Sequence, residues 1–261
     1  MRKNLAWAGM VLLPAFGLLA IGFTTEEQAP TTTKTKIAKA STCQIMTATP
    51  PRFIYDVGTR FQNTITKEAL QNAKSVHDII SKDTMYHIES VREVELFWHK
   101  PGKDWSAKGV SKDLNGPQLD IIELMSYSSD GNIYGKCYRK HRETGSKFEG
   151  YFDHYFTVVP EKQANYKGGK DALQDYLIAN SAYITDVLDP QQLLAGKIRF
   201  VVSKEGTISN VVLEASCGYD YVDDLLIKVL KKTPEKWTPA ENAKGEKVDQ
   251  EFVFSFGQVG C

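Results

Sequence analysis

Residues 220–240 read DYVDDLLIKVLKKTPEKWTPA. Val222, Leu225, Leu226 and Val229 recur at i, i+3, i+4 and i+7, which is one face of a helix. Asp220 stands where a helix cap is expected. Asp223 and Asp224 fall in the first turn and Lys231 and Lys232 in the last, where each sign suits the helix dipole. Pro234 is expected to stop the helix. Trp237 then sits between Pro234 and Pro239, just ahead of a segment that alternates like a strand. A large ring at such a corner is expected to plug the base of a sheet. Its truncation should then cost stability, on the order of 3 kcal/mol, rather than a chemical step.

Downstream, KVDQEFVFSF (residues 247–256) alternates. Val248, Gln250, Phe252, Phe254 and Phe256 share one face, and Asp249, Glu251, Val253 and Ser255 the other. Upstream, GKIRFVVSKEGTISNVVLEA reads as a hairpin with its turn at Glu205-Gly206. Ile208 and Val211 are separated by one residue too many for strict alternation, which predicts a β-bulge. Before it, GGKDALQDYLIANSAY places Leu173, Tyr176 and Leu177 at helical spacing. The order is helix, strand, strand, helix, strand.

These residues resemble the TonB C-terminal domain family. The resemblance rests on Tyr166-Lys167-Gly168-Gly169 before the first helix, the strand that starts at Gly196, and the acidic-Gly turn at Gly206. It is completed by the Trp237-x-Pro239 element and the final strand. It covers about residues 160–256 and implies two helices packed on a three-stranded antiparallel sheet. It also implies a partner, an outer-membrane TonB-dependent transporter or another envelope protein. That partner's short extended segment would pair with the last strand by strand addition, along Val248, Asp249, Gln250, Glu251, Phe252, Val253, Phe254, Ser255 and Phe256. A sheet edge with unpaired N–H and C=O groups is a physical template for that. Asp249 and Glu251 would discourage indiscriminate pairing. The competing reading is that another part of the chain covers this edge.

Two features depart from the family's energy transducers. The apolar segment at residues 5–23 has no ionisable group for proton-linked coupling. The long proline-rich spacer is missing, and a folded region stands in its place. Within residues 50–159, SVREVELFWH puts Val94, Leu96 and Trp98 on one strand face, and GPQLDIIELM reads as a short helix. Asp130-Gly131 between β-rich flanks reads as a hairpin turn. The aromatic strands GYFDHYF and EFVFSF are expected to be core on one face, with a ligand groove as the alternative. This region is expected to be a mainly antiparallel, β-rich α+β domain, so the whole chain is α+β. Through ITKEAL, VSKDLNGPQLDIIELM and YFTVV, it faintly resembles the C-terminal β-domain of the gliding-motility and type IX secretion shaft protein.

Residues 1–23 begin with Arg2 and Lys3 and continue without charge from residue 5 to 23, a helix length of about 28 Å. They read as a signal peptide or a signal anchor, and either places the remainder in the periplasm. A retained anchor would add inner-membrane motor proteins to the partners. Residues 24–49 are rich in Thr, Lys and Ala and read as a flexible linker. The four cysteines, Cys43, Cys137, Cys217 and Cys261, suggest disulfides in an exported chain. The favoured pairing is Cys43–Cys137 with Cys217–Cys261, one within each of residues 50–159 (with the linker's Cys43) and 160–261. Buried free thiols are the alternative.

Formal net charge is zero, which argues against nucleic acid. His77, His87, His99, His141 and His154 form no i, i+4 pair on an expected helix, and Cys137-x-x-x-His141 is an isolated spacing. There is no G-x-S-x-G elbow, and YKGGK lacks phosphate-loop spacing. No catalytic residue, metal ligand or cofactor is expected. The leading reading is a non-enzymatic TonB-family interaction protein that supports outer-membrane transport. The alternative is an envelope scaffold that carries a TonB-like domain without energy coupling.

Overall fold

The computed structural model describes residues 53–80, 85, 88–100, 102–233 and 237–258. The signal or anchor segment, the linker and Pro234 lie outside them, as do Cys43 and Cys261. Among the described residues no helix is long and apolar enough to cross a membrane.

The fold is α+β, with two main sheets, each over its own hydrophobic core. In chain order, β1 is Ile54–Gly58, β2 Thr64–Thr66, α1 Lys67–Asn72, α2 Val76–Ile79, β3 Ile88–Lys100 and β4 Lys103–Gly109. Then follow α3 Gly116–Leu124, β5 Asp130–Lys140, β6 Lys147–Val159 and β7 Asn165–Tyr166. The remainder is α4 Gly169–Ala179, α5 Ala182–Thr185, β8 Ala195–Val202, β9 Ile208–Ala215 and α6 Asp220–Lys231. Last come β10 Trp237–Thr238, β11 Ala240–Glu241, β12 Lys247–Val248 and β13 Gln250–Gly257.

The five-stranded sheet has the order β2-β6-β5-β3-β4, antiparallel except where β2 joins β6 in parallel. Val94 and Leu96 are buried as their alternation predicts, and Trp98 packs beside them. The helix expected in GPQLDIIELM is α3. Asn115 caps it in a reciprocal box with Gln118, whose Nε2 also donates to the Val94 and Ala107 carbonyls.

Asp130-Gly131 is not a hairpin turn; it opens β5, which follows α3. The glycine is required by crowding. A Cβ on Gly131 would lie 2.8 Å from both the Phe156 ring and the Phe97 carbonyl oxygen.

The second sheet has the order β1-β13-β8-β9, so it has four strands where three were expected. The added strand is β1, from the region before residue 160. It pairs antiparallel with β13, from Ile54 opposite Gly257 to Gly58 opposite Val253. Phe53 and Tyr55 accordingly join the C-terminal core with Leu177, Phe200, Leu226 and Phe254.

Helix α6 buries Val222, Leu226, Val229 and Leu230, and Leu225 packs against the core at its margin. Its N-cap is Tyr219, not Asp220, which is the first helical residue. The bulge lies where expected. Arg199 faces Val212 and Val201 faces Ser209, so Asn210 and Val211 oppose one residue, and Asn210 has φ +49°.

Cys137 and Cys217 are free thiols, 1% and 0% exposed, which corrects the expected pairing at both. Each sulfur fills a core position: Cys137 Sγ donates to the Gly150 carbonyl and Cys217 Sγ to the Tyr219 carbonyl. Burial pushes the Cys217 thiol up to about 12, so it is fully protonated and unreactive at neutral pH.

Candidate interaction site

Tyr166, Gly206, Trp237 and Pro239 meet at the base of the C-terminal sheet. Trp237 pairs with Tyr166 across the β10–β7 ladder. Its ring meets Tyr166, Phe200 and Phe252 at centroid distances of 5.6, 5.9 and 5.6 Å, the first two edge-on. Its indole N–H donates to Thr233 Oγ1. Gly206, at φ +78°, turns the β8–β9 hairpin against this corner. A Cβ there would lie 2.6 Å from the Trp237 carbonyl oxygen and 3.7 Å from Pro239. Gly168 and Gly169 precede α4, and Gly196 lies under the Phe256 ring.

The last strand starts at Gln250. Val248 belongs instead to β12, opposite Ala240. Asp249 turns aside to accept the Lys204 N–H, which ties down the hairpin. Gln250, Phe252, Phe254 and Phe256 face the core as the alternation predicts. Gln250 Oε1 accepts the buried Ala164 N–H.

The expected open edge is absent: β13 is an interior strand, flanked by β8 and β1. Beyond the end of the β1 ladder, Glu251 N–H donates to Ser128 Oγ at 2.9 Å. Ser128 holds φ +64°, an uncommon conformation for a non-glycine residue. Val253, Ser255 and Gly257 face β1 partners, and Glu251 meets this hydroxyl, so the chain closes its own edge.

β1 is anchored from several sides. The Tyr55 hydroxyl is within 2.9 Å of Ser181 Oγ and 2.7 Å of Thr185 Oγ1. Tyr55 stacks with Phe254 and Phe53 with Phe256, and Lys170 pairs with Asp56. Burial raises the Tyr55 phenol above its ordinary value, with the two hydroxyls working against it. A groove of about 560 Å³ borders the outer side of β1, lined by Tyr55, Asp56, Lys170, Gln174 and Ile178 among others.

From β1 the chain passes through Arg60, which joins the two sheets. Its guanidinium meets Asp130 at 3.0 Å and Glu214 at 2.7 Å. Glu214 also accepts from Arg199, which in turn reaches Glu251 at 3.0 Å. Five alternating charges thus run from β5 to β13. The Arg60 hydrogen bond holds the Glu214 carboxyl below its ordinary value. Burial pushes the Asp130 carboxyl upward, although Thr157 and Arg60 pull the other way. A groove of about 520 Å³ lies over this chain, bounded by Phe61 and His99 on one side and Arg199 and Glu251 on the other.

The outer face of the five-stranded sheet is the other distinctive surface. GYFDHYF divides by parity: Phe152, His154 and Phe156 point to the core, and Tyr151, Asp153 and Tyr155 point out. Tyr134 on β5 lies directly opposite Asp153. Tyr134, Tyr151 and Tyr155 are 37%, 57% and 41% exposed. Tyr134 and Tyr151 stack on each other at 5.9 Å, and Phe61 leans on Tyr155 at 5.0 Å. Asn132 Nδ2 donates to Asp153 Oδ1 at 2.7 Å and orients the carboxylate. The Asp153 charge pushes the neighbouring Tyr155 phenol upward. Strand alternation was visible in the sequence, but both parity sets are aromatic there, so the outward set was hidden among core candidates.

Among the described residues no group of three or more His, Cys, Asp and Glu side chains is arranged to hold a metal ion. Comparisons with family models, with curated proteins and with solved structures return no match.

Proposed function

We propose that this is a non-enzymatic scaffold of the cell envelope, positioned in the periplasm, whose C-terminal half is TonB-like in build. Its own β1 lies where an energy transducer of that family would receive a receptor's segment. The occupied β13 edge carries this reading. Main-chain pairing that would otherwise serve a partner is used to weld the C-terminal sheet to the region before it. The Asp130–Arg60–Glu214 link reinforces that joint. The expected partners are an outer-membrane TonB-dependent transporter or another envelope protein, with inner-membrane motor proteins added if the N-terminal segment is retained.

A second reading is favoured by the shortness of β1. Its ladder reaches only Val253, and a longer partner strand that paired along all of Gln250–Gly257 would gain main-chain bonds by taking its place. One experiment separates the two. Asp56 lies directly opposite Ser255, so Asp56→Cys with Ser255→Cys, in a Cys43→Ser/Cys261→Ser background, locks β1 to β13 on oxidation. The scaffold reading expects the oxidised and reduced chains to capture the same envelope proteins from outer-membrane extract. Loss of a β-barrel transporter on oxidation, restored by reductant, would replace it with strand exchange. Capture of no envelope protein in either state would remove both.

A further inference from the structure

Three rings on the five-stranded sheet are matched with cations of this chain. Arg92 lies over Tyr138, Lys100 over Trp98 and Lys103 over Trp105, at 5.3, 5.4 and 4.2 Å from the ring centroids. Its acids are matched in the same way. Glu93 pairs with Lys136, Glu149 with Arg92, and Glu95 with Lys108. The centre of the outer face is not matched in this way. Among the described residues no ammonium or guanidinium lies over Tyr134, Tyr151 or Tyr155, and none pairs with Asp153.

The four residues form one constellation. Asp153 has Tyr134 directly across the ladder and Tyr151 and Tyr155 two positions to either side on its own strand. Along the strand the two outer rings are about 13 Å apart. The carboxylate is held in place by Asn132 and supplies a fixed negative charge among three electron-rich ring faces. Such faces attract cations, guanidinium most often, because it stacks flat on a ring while donating hydrogen bonds to a carboxylate.

We propose that Asp153 with Tyr134, Tyr151 and Tyr155 is a docking site for an arginine-bearing segment of a protein partner. Charge complementarity selects the occupant, since Asp153 calls for a cation while Glu93, Glu95 and Glu149 on this face already have Lys or Arg partners. Openness of the face selects its source. Exposed cation–π contacts are individually weak, so a free small cation would not be retained, whereas a protein segment adds contacts beside the site. Two clefts offer these. One, of about 380 Å³, is walled by Tyr134, Glu95 and Val110, and the other, of about 160 Å³, by Tyr151, Glu149 and Arg92, with the paired Glu93 and Lys136 lining both. The site lies on the five-stranded sheet, which does not contain β13, so it stands whether or not β1 is exchanged.

The test is titration of the full chain with a capped hexa-arginine peptide, read by tyrosine fluorescence and calorimetry. Hexalysine and a neutral cello-oligosaccharide are the comparison probes. Hexa-arginine is expected to bind more tightly than hexalysine. Asp153→Asn, and separately Tyr151→Leu, should weaken it by about fivefold each, while Tyr151→Phe retains it. Asp171→Asn, an exposed carboxylate on α4, should leave it unchanged; equal weakening there would mean diffuse charge attraction and overturn the proposal. So would unaltered binding by Asp153→Asn, or tighter binding of the saccharide than of the peptide. Thermal melts accompany each variant, and Tyr155→Leu substitutes for any that fails to fold.

Discussion

The hydroxyl of Tyr55, on a strand near the start of the described chain, makes hydrogen bonds with both Ser181 and Thr185, which flank and end a short helix of the C-terminal half. All three groups are buried. Removing the phenol oxygen takes one buried hydrogen-bond partner from each hydroxyl, leaving Ser181 its bond to the Leu177 carbonyl and Thr185 its long bond to the Ser181 carbonyl. Tyr55→Phe is therefore expected to destabilise the protein by about 1–2 kcal/mol. It should also loosen β1 locally. Hydrogen exchange at Val253 and Ser255 should speed up more than at Ile198 on β8. Equal acceleration at all three would mean that β1 opens only with the whole sheet.

Trp237 is in contact with Tyr166, Phe200 and Phe252 at the sheet base. Trp237→Ala should cost about 3–5 kcal/mol, the range for deleting a large buried ring. Trp237→Phe should cost less, because it keeps part of the aromatic packing and loses the bond to Thr233. Chemical denaturation curves, followed by far-ultraviolet circular dichroism, measure both.

Arg60 is the one side chain that pairs with both Asp130 and Glu214 among the described residues. Its side chain is 29% exposed and that of Asp130 12%, so the pair is only partly screened by water. Arg60→Leu leaves Asp130 without its cation and is expected to cost about 1–2 kcal/mol. Adding Asp130→Asn should recover part of that loss. A double-mutant cycle with no coupling would show that the bridge contributes nothing to the joint between the sheets.

His154 faces the core of the five-stranded sheet, and burial lowers its basicity below the ordinary value of 6.5, with Asp153 opposing. The unfolded chain takes up a proton near 6.5 while the folded chain resists it. This contribution to stability is therefore intact above pH 6.5 and is lost as pH falls from there toward the depressed folded value. His154→Leu should lack that acid-side loss. The difference in unfolding free energy between the two proteins, followed from pH 7.5 down to 5, should shift in favour of the variant. A difference independent of pH would contradict it.

Local patterns carried much of the fold. The apolar stripe of α6, the alternation of β13 and the extra residue at Asn210 are short-range signals, and each is realised in place. What failed was non-local or two-valued. Ile54–Gly58 has no internal mark that assigns it to a strand at the far end of the chain; only the register with β13 does so. Asp130-Gly131 reads alike whether the glycine serves a turn or an approach to Phe156. An even cysteine count in an exported chain suggested bonds from Cys137 to Cys43 and from Cys217 to Cys261, and in the fold Cys137 and Cys217 are buried free thiols. The candidate sites followed the same division. The motif cluster round Trp237 was legible. The closure of β13 and the outward tyrosines were not, since the first depends on distant chain and the second on which parity faces solvent.

The position of β13 between β1 and β8 also orders events in time. The centre of the C-terminal sheet is synthesised long after one of its two neighbours, β1, which is among the first of the described residues. Phe53 and Tyr55 must wait, exposed, until β13 has emerged. Contacts of such long sequence separation close slowly, and unpaired strands are vulnerable meanwhile. A chain cut short before residue 250 would keep β1, β8 and β9 but lose the strand that joins them. Its early apolar segment would be left for proteases and chaperones to find.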